Sequence, residues 1–231
     1  MTRLFLAVLI TLFSCDTFAR VRAVASRIDS ARRILVVIAH PDDELLIAPL
    51  LGNRCVTGGA SCSFLVMTNG DHPARAGEMA RAAALFNARL TIWSYPDVMS
   101  DVGATWSNGD RPALVQQLAN SIALEQSDMI VTFDPAHGST GHPAHRELGQ
   151  LVLETGARNV WLIETAARFI GGGFELSNAA PERASVIIAN EAWQFVVRDA
   201  ETHASQFTPE QIESLRTLPA EQRKVWLMRA P

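Results

Sequence analysis

A histidine and three carboxylates stand together at the end of the apolar run 34–39. In chain order the segment reads His40, Pro41, Asp42, Asp43, Glu44. Ionisable groups packed this closely are costly to bury unless something cationic compensates them. His40 and Asp43 offer one nitrogen and one oxygen ligand of the kinds that zinc accepts. The plainer alternative is that the acids cap the next helix, because carboxylates favour helix N-termini.

Two more histidines, His142 and His145, lie in a polar, glycine-rich stretch after the apolar run 129–133. Pro143 suits the first turn of a helix, which places His142 at the cap and His145 one turn further in. Residues three apart share a helix face, so both imidazoles can point into one cleft. A lone histidine here would be a cap or a surface residue, but the pair makes His145 the third candidate metal ligand.

Apolar runs that alternate with helical stretches must position these residues. Runs rich in β-branched residues predict buried strands, and they occur at 34–38, 64–68, 90–93, 129–133, 160–163 and 186–188. The alternation predicts an α/β fold, namely a single-domain, Rossmann-like, doubly wound and mostly parallel sheet with helices on both faces. Such sheets place their ligands beyond the carboxyl ends of the strands, which is where His40 and the acids lie.

The bulk properties exclude some function classes. With 231 residues, the chain is long enough for one α/β domain with a sizeable core. A formal net charge of −4 at pH 7 gives no electrostatic footprint for nucleic acid or an anionic membrane. We divide the chain into a signal peptide, 1–19, a lead-in, 20–33, and a catalytic domain, 34–231.

The N-terminus has the features of a secretory signal. Arg3 precedes an apolar stretch, 4–13, that is too short to span a bilayer comfortably, and the small residues at 17 and 19 suit a signal peptidase. Cys15 lies in a sequence resembling a lipoprotein cleavage box, but Phe13 fits that box poorly, so cleavage is favoured over a lipid anchor. We therefore expect a periplasmic or secreted protein without a transmembrane anchor in its mature chain.

If the protein is exported, Cys55 and Cys62 are expected to form a disulfide, since such a pair flanking a flexible turn commonly does so in an oxidising compartment. The alternative is a pair of free thiols at the same spacing.

The two motifs together resemble those of the zinc-dependent deacetylases of the LmbE type, a family that includes the N-acetylglucosaminyl-phosphatidylinositol de-N-acetylases (PIG-L). The segments that carry the resemblance are 39–44 and 141–145. Further similar segments are 68–70 with Arg75 and Glu78, 96–97, 132–135 and 198–206. The resemblance covers most of the chain after the signal and implies that 34–231 is an LmbE-like deacetylase domain.

The resemblance implies that His40, Asp43 and His145 bind one Zn²⁺ ion, or another divalent metal. It also implies that Asp42 is the general base and that His142 stabilises the oxyanion. The implied reaction is hydrolysis of an N-acyl group, expected to be acetyl, on a small amino sugar or glycoconjugate. Amide hydrolysis needs an activated water, and zinc lowers the pKa of water bound to it.

Arg75 and Asp97 are predicted to hold substrate, because both lie in or just after polar segments at strand ends and the resemblance supports both positions. For Arg75 the alternative is an ordinary ion pair with Glu78 on the helix surface.

Ala144 departs from the family, which usually has an aspartate there. Such an acid would orient or charge a neighbouring histidine, so its absence lowers the expected pKa of His142 or requires a substitute such as Asp134. Two alternative functions stay open: a zinc amidase acting on a larger sugar or thiol conjugate, and a non-catalytic carbohydrate-binding module on a degenerate hydrolase fold.

Overall fold

The structure is a computed structural model that describes residues 28–98, 106, 109–170, 173–179, 186–188 and 190–231. The predicted signal peptide and most of the predicted lead-in therefore lie outside the described residues. Among the residues that are described, no helix is long and apolar enough to cross a membrane.

A seven-stranded sheet in the order β3-β2-β1-β4-β5-β9-β8 forms the centre of the described structure. The strands are β1 Arg33–Ile38, β2 Ser61–Thr68, β3 Ala88–Tyr95, β4 Met129–Phe133, β5 Val160–Ile163, β8 Val186–Ile188 and β9 Val225–Arg229. The first five pair in parallel, whereas β9 runs antiparallel to β5 and β8. The predicted mostly parallel α/β fold is confirmed.

The helices connect these strands. They are α1 Ala48–Leu51, α2 Pro73–Leu85, α3 Arg111–Glu125, α4 Gly138–Gly141, α5 Pro143–Glu154, α6 Gln194–Thr202 and α7 Pro209–Thr217. From β1 the chain winds through β2 to β3 in one direction, and then crosses to β4 and β5 on the other side of β1. Because such crossovers are right-handed, the two halves place their helices on opposite faces, and the winding reverses between β1 and β4.

The connection after β1 is less regular than the predicted helix. It runs as a 3₁₀ helix over Asp43–Ile47, then α1, then a π-helix over Gly52–Thr57. Pro49 in the first turn of α1 has no N–H to continue the preceding helical hydrogen bonds, so the geometry changes there. Cys55 in the π-helix is joined by a disulfide to Cys62 in β2, with their Cα atoms 5.8 Å apart.

Two features of the sheets have no counterpart in the sequence prediction. A separate hairpin pairs β6 Thr165–Ile170 with β7 Gly173–Asn178. The C-terminal β9 joins the main sheet between β5 and β8. Both pairings are antiparallel, which the strand–helix alternation does not predict.

Candidate active site

The two histidine-containing segments meet above the neighbouring strands β1 and β4, where the winding of the sheet reverses. They border a cavity of about 340 Å³. All seven residues predicted to bind metal, act on substrate or hold it line this cavity: His40, Asp42, Asp43, Arg75, Asp97, His142 and His145. The structure thus brings together residues from four separate stretches of chain.

His40 is held by a carboxylate that the sequence prediction had assigned to substrate. Its Nε2 lies 2.7 Å from Oδ1 of Asp97, so the ring donates this proton to Asp97. The unprotonated Nδ1 then faces His145 Nε2 at 3.3 Å and Asp43 Oδ2 at 3.4 Å. Asp97 therefore orients His40, a role for which the chain has no local signal, since 57 positions separate the two residues.

His145 is held in the other tautomer, with its proton on Nδ1 rather than on Nε2. Its Nδ1 lies 2.9 Å from the carbonyl oxygen of Gly138, so Nδ1–H donates there and Nε2 keeps an unshared electron pair. That Nε2 lies 3.0 Å from Asp43 Oδ1. The ring stacks on Phe133, the last residue of β4, with centroids 3.9 Å apart. Gly138 adopts φ +59°, a conformation that favours glycine, and the turn aims its carbonyl at the histidine.

Asp43 is fixed by the backbone of the same loop. Its Oδ2 accepts hydrogen bonds from the N–H groups of Ala39 and His40, at 3.1 and 2.7 Å. Burial alone would raise the pKa of Asp43, but His145 and His40 hold it well below its usual range. The carboxylate is therefore ionised, with Oδ1 directed at His145.

These three side chains fit a divalent metal ion. Two ligand atoms at about 2.0–2.1 Å from a tetrahedral zinc ion lie about 3.3 Å apart, and His40 Nδ1 and His145 Nε2 are separated by that distance. Two unshared electron pairs that face each other repel unless a cation or a proton lies between them. Although burial lowers it, Asp43 and Asp97 raise the pKa of His40 to about 9, so the site favours a positive charge there.

His142 has a different environment. One ligand atom each from His40, His142 and His145 lie within 4.8 Å of one another, so distance alone would admit His142 as a ligand. However, His142 caps α5 and its Nδ1 accepts a hydrogen bond from the N–H of Ala144 at 3.2 Å, which places the ring proton on Nε2. Burial and the neighbouring His40 lower the pKa of His142, so the ring is a neutral hydrogen-bond donor.

Asp42 is held by its backbone and by its side chain. It adopts φ 115°, which is unusual for a residue with a Cβ. Its carboxylate Oδ2 lies 3.2 Å from Nη2 of Arg75. Burial and the charge of Asp43 raise the pKa of Asp42 to about 7, although Arg75 opposes the shift. A carboxyl group with this pKa can both accept and release a proton near neutral pH.

The alternative of an Arg75–Glu78 ion pair is wrong. Arg75 donates to the carbonyl oxygen of Pro41 and pairs with Asp42. Glu78 accepts hydrogen bonds instead from the backbone N–H and hydroxyl of Ser205. Arg75 therefore ties α2 to the loop that carries Asp42.

Asp134 is not placed as the expected substitute for the missing aspartate at position 144. Its Oδ2 lies 2.6 Å from Nδ1 of His137. The carboxylates that act on the pKa of His142 are those of Asp97 and Asp43.

Comparison with known sequences gives a family match over both loops. Residues 35–155, more than half of the chain, match the family model PIG-L, described as GlcNAc-PI de-N-acetylase. A curated relative, uncharacterized protein L374 of Acanthamoeba polyphaga mimivirus, is 27% identical over 139 residues, which is 55% of this chain. The alignment spans 59% of the length of that relative.

Solved structures share the fold. N,N′-diacetylchitobiose deacetylase from Pyrococcus horikoshii, solved with its inhibitor MPG, is 17% identical with a TM-score of 0.65, over 87% of this chain and 85% of that one. The 4-carboxy-2-hydroxymuconate hydratase GalB from Pseudomonas putida KT2440 is 12% identical with a TM-score of 0.58, over 86% of this chain and 96% of that one. Because these two enzymes are named for different reactions, the fold by itself does not decide the chemistry.

Proposed function

The chain belongs to the PIG-L, or GlcNAc-PI de-N-acetylase, family, and from this premise we propose that it is a zinc-dependent hydrolase that removes an N-acyl group, expected to be acetyl, from an amino-sugar-containing substrate. The proposal is carried by the convergence of His40 Nδ1, His145 Nε2 and Asp43 Oδ1 beside Asp42 in one cavity. Two nitrogen donors and one oxygen donor with an adjacent carboxyl group are the parts that metal-assisted amide hydrolysis requires.

The residues that would hold the metal are His40, Asp43 and His145. This donor set suits zinc, and other divalent ions can use the same ligands. When bound, the ion supplies a Lewis acid that polarises the amide carbonyl and lowers the pKa of water. The hydrogen bonds to Asp97 and to the carbonyl of Gly138 fix each imidazole in the tautomer that ligation needs.

Asp42 and His142 carry out the proton transfer and the charge stabilisation. Asp42 takes a proton from the attacking water and passes it to the leaving amine, because its pKa of about 7 allows both steps near neutral pH. His142 donates from Nε2 to the oxygen on which negative charge develops. Its Nδ1 contact with the N–H of Ala144 fixes the proton on Nε2, so this donor does not depend on an aspartate at position 144.

The cavity fits a small polar substrate with an apolar part. At about 340 Å³ it lies near the lower end of the usual range for ligand pockets, about 300–1,000 Å³. Besides the ionisable residues, its lining includes the apolar side chains Leu45, Leu46, Phe174 and Phe207. Such apolar side chains suit the face of a sugar ring or an acyl group. The name of the P. horikoshii neighbour, a diacetylchitobiose deacetylase, supports this substrate class.

We also propose export to the periplasm or secretion. The signal-like sequence at 1–19 and the bonded pair Cys55–Cys62 support it, because disulfides persist in oxidising compartments.

The test is product analysis on metal-reloaded protein. Chain starting at Arg20 is stripped with a chelator, reloaded with Zn²⁺, Co²⁺ or Mn²⁺, and incubated with N-acetylglucosamine, N,N′-diacetylchitobiose, GlcNAc-PI and longer N-acyl glucosamines. We expect equal amounts of free amine and carboxylic acid, only with metal present, and little from Asp42→Asn. A larger acid would favour an amidase acting on larger conjugates. Folded, metal-loaded protein that releases no amine from any of these substrates would contradict the proposal.

A further inference from the structure

A buried ionisable cluster lies behind the loop that carries Asp42. It consists of Glu44 from the 3₁₀ helix, Asp199 from α6 and His203 directly after α6, and all three are fully buried. Within the described structure, both carboxylate oxygens of Asp199 and Nδ1 of His203 are buried without a hydrogen-bond partner. The function proposed above uses none of these groups.

Contacts run from this cluster to the backbone of Asp42. His203 Nε2 lies 2.6 Å from Glu44 Oε1, and the other oxygen of Glu44 accepts a hydrogen bond from the N–H of Asp42 at 3.1 Å. The contact between His203 and Glu44 spans 159 positions. Glu44 therefore links His203, directly after α6, to the backbone N–H of Asp42, the residue that adopts φ 115°.

The cluster explains how three consecutive acids, two of them buried, can lie side by side. Each carboxylate faces a different basic partner: Asp42 faces Arg75, Asp43 faces the paired imidazoles of the candidate metal site, and Glu44 faces His203. Although burial alone would lower it, Glu44 raises the pKa of His203, which favours the imidazolium.

A second metal ion does not fit this cluster. Two ligands of one tetrahedral zinc ion lie about 3.3 Å apart, whereas His203 and Glu44 are at 2.6 Å, the length of a strong charge-assisted hydrogen bond. Asp199 lies further away, with Oδ1 3.9 Å from His203 Nε2. Burial, together with Glu44 and Asp42, raises the pKa of Asp199 well above its usual range, so it does not compete as a second carboxylate for His203.

We propose that His203 and Glu44 are positioning residues that hold the backbone of Asp42 in its strained conformation, so that its carboxylate faces the cavity. The inference rests on the proposed function only in taking Asp42 as the general base. Positive φ at a residue with a Cβ persists only where the surroundings impose it. Arg75 fixes the side chain of Asp42 from the α2 side, and Glu44 fixes the peptide from the α6 side.

The experiment compares three variants that carry the same metal load. His203→Leu removes the donor to Glu44, and His203→Gln keeps an N–H donor near the position of Nε2. Ser205→Ala removes a hydrogen bond to Glu78 from the turn next to α6 without touching Glu44, and is the matched control. Each is measured for kcat, KM, bound metal and amide hydrogen exchange at Asp42.

For His203→Leu we expect kcat to fall about tenfold to a hundredfold while KM and metal content stay near wild type, because the base is displaced and the ligands are not. The amide of Asp42 should exchange faster. His203→Gln should recover part of the kcat and part of the protection of the Asp42 amide. Ser205→Ala should change neither kcat nor amide exchange at Asp42. Loss of metal in step with activity, no recovery by Gln, or an unchanged Asp42 amide would overturn the inference.

Hydrogen exchange needs no substrate, so it separates this inference from the proposed function. If wild type cleaves none of the N-acyl substrates but His203→Leu still exposes the Asp42 amide, the positioning stands and the function is wrong. If His203→Leu does not fold, the inference is tested by the same measurements on Glu44→Gln and by amide exchange at Asp42 in the wild-type protein. An Asp42 amide that exchanges in wild type as fast as an open loop would refute the positioning.

Discussion

Nε2 of His145 lies 3.3 Å from Nδ1 of His40, although 105 positions separate the two residues in the chain. The other nitrogen of each ring is already engaged, with Asp97 for His40 and with the carbonyl of Gly138 for His145. Two acceptor nitrogens therefore converge beside Asp43. Without a cation, this arrangement is satisfied only by a shared proton.

Asp42→Asn should leave the metal bound and remove most of the activity. The substitution deletes the proposed base but no ligand, and general acid–base catalysis contributes about a hundredfold to ten-thousandfold. Metal analysis and kcat are measured on the same preparation. The proposed base would be wrong if kcat stayed near wild type, because another group would then move the proton.

Asp97→Asn should weaken metal binding without abolishing it. The amide can leave the wrong nitrogen of His40 protonated, and loss of such an orienting partner costs about 10- to 100-fold in metal affinity. Competition with a chromogenic chelator measures the affinity. His145→Ala, which removes a ligand, should lose the metal altogether, and the exposed Asp71→Asn is the control. Unchanged affinity in Asp97→Asn, with KM raised instead, would favour the original substrate-binding prediction.

The role of Arg75 can be determined by measuring kcat and KM separately. If Arg75 chiefly holds Asp42, Arg75→Ala should lower kcat and shift the pKa seen in the pH–rate profile upwards, because Arg75 lowers the pKa of Asp42. If Arg75 binds substrate, as the sequence predicts, KM should rise. Arg75→Lys keeps the charge and should restore most of the pH profile. An Arg75→Ala enzyme with unaltered kinetic constants would exclude both roles.

Asp199→Asn should stabilise the protein more as the pH rises. The pKa of Asp199 is raised by burial and by Glu44 and Asp42, so the native chain keeps a proton that the unfolded chain releases above about pH 4. Above that pH, wild type loses up to about 1.4 kcal/mol of unfolding free energy per pH unit until the native pKa is passed. The variant cannot lose this proton.

Thermal unfolding of wild type and Asp199→Asn between about pH 5 and about pH 8 measures this difference. The gain in Tm of the variant should grow across that range. Glu201→Gln, exposed on the same helix, is the control and should show no such trend. A gain that stays constant with pH would mean that Asp199 is ionised in the native protein.

The Cys55–Cys62 bond should be present in exported protein. Free-thiol titration of unfolded, unreduced mature chain should find none, since cleavage after Ala19 also removes Cys15. Replacing both cysteines by alanine should cost about 2 kcal/mol, because the closed loop is short. Denaturant unfolding measures that loss. Two titratable thiols in periplasmic protein would contradict the prediction.

Much of the fold could be predicted because its signals are local. The runs 129–133 and 160–163 coincide with β4 and β5, since strands buried on both faces are apolar throughout. The hairpin β6–β7 and strand β9 were missed. The strands β6 and β7 carry polar residues, and β9 depends on partners that are far away in the chain, so nothing local marks the pairing.

The sequence by itself determined which functional groups are available: one imidazole and three acids after the first strand, and two imidazoles at the start of α5. It also placed them all after strand ends, where α/β folds bind ligands. Only the tertiary structure decided how each group is used. Asp97 orients His40, Arg75 holds Asp42 rather than Glu78, and His203 reaches Glu44 across the core. Such pairings follow from how helices pack on the sheet, and the burial and charge that set each pKa exist only once the chain is folded.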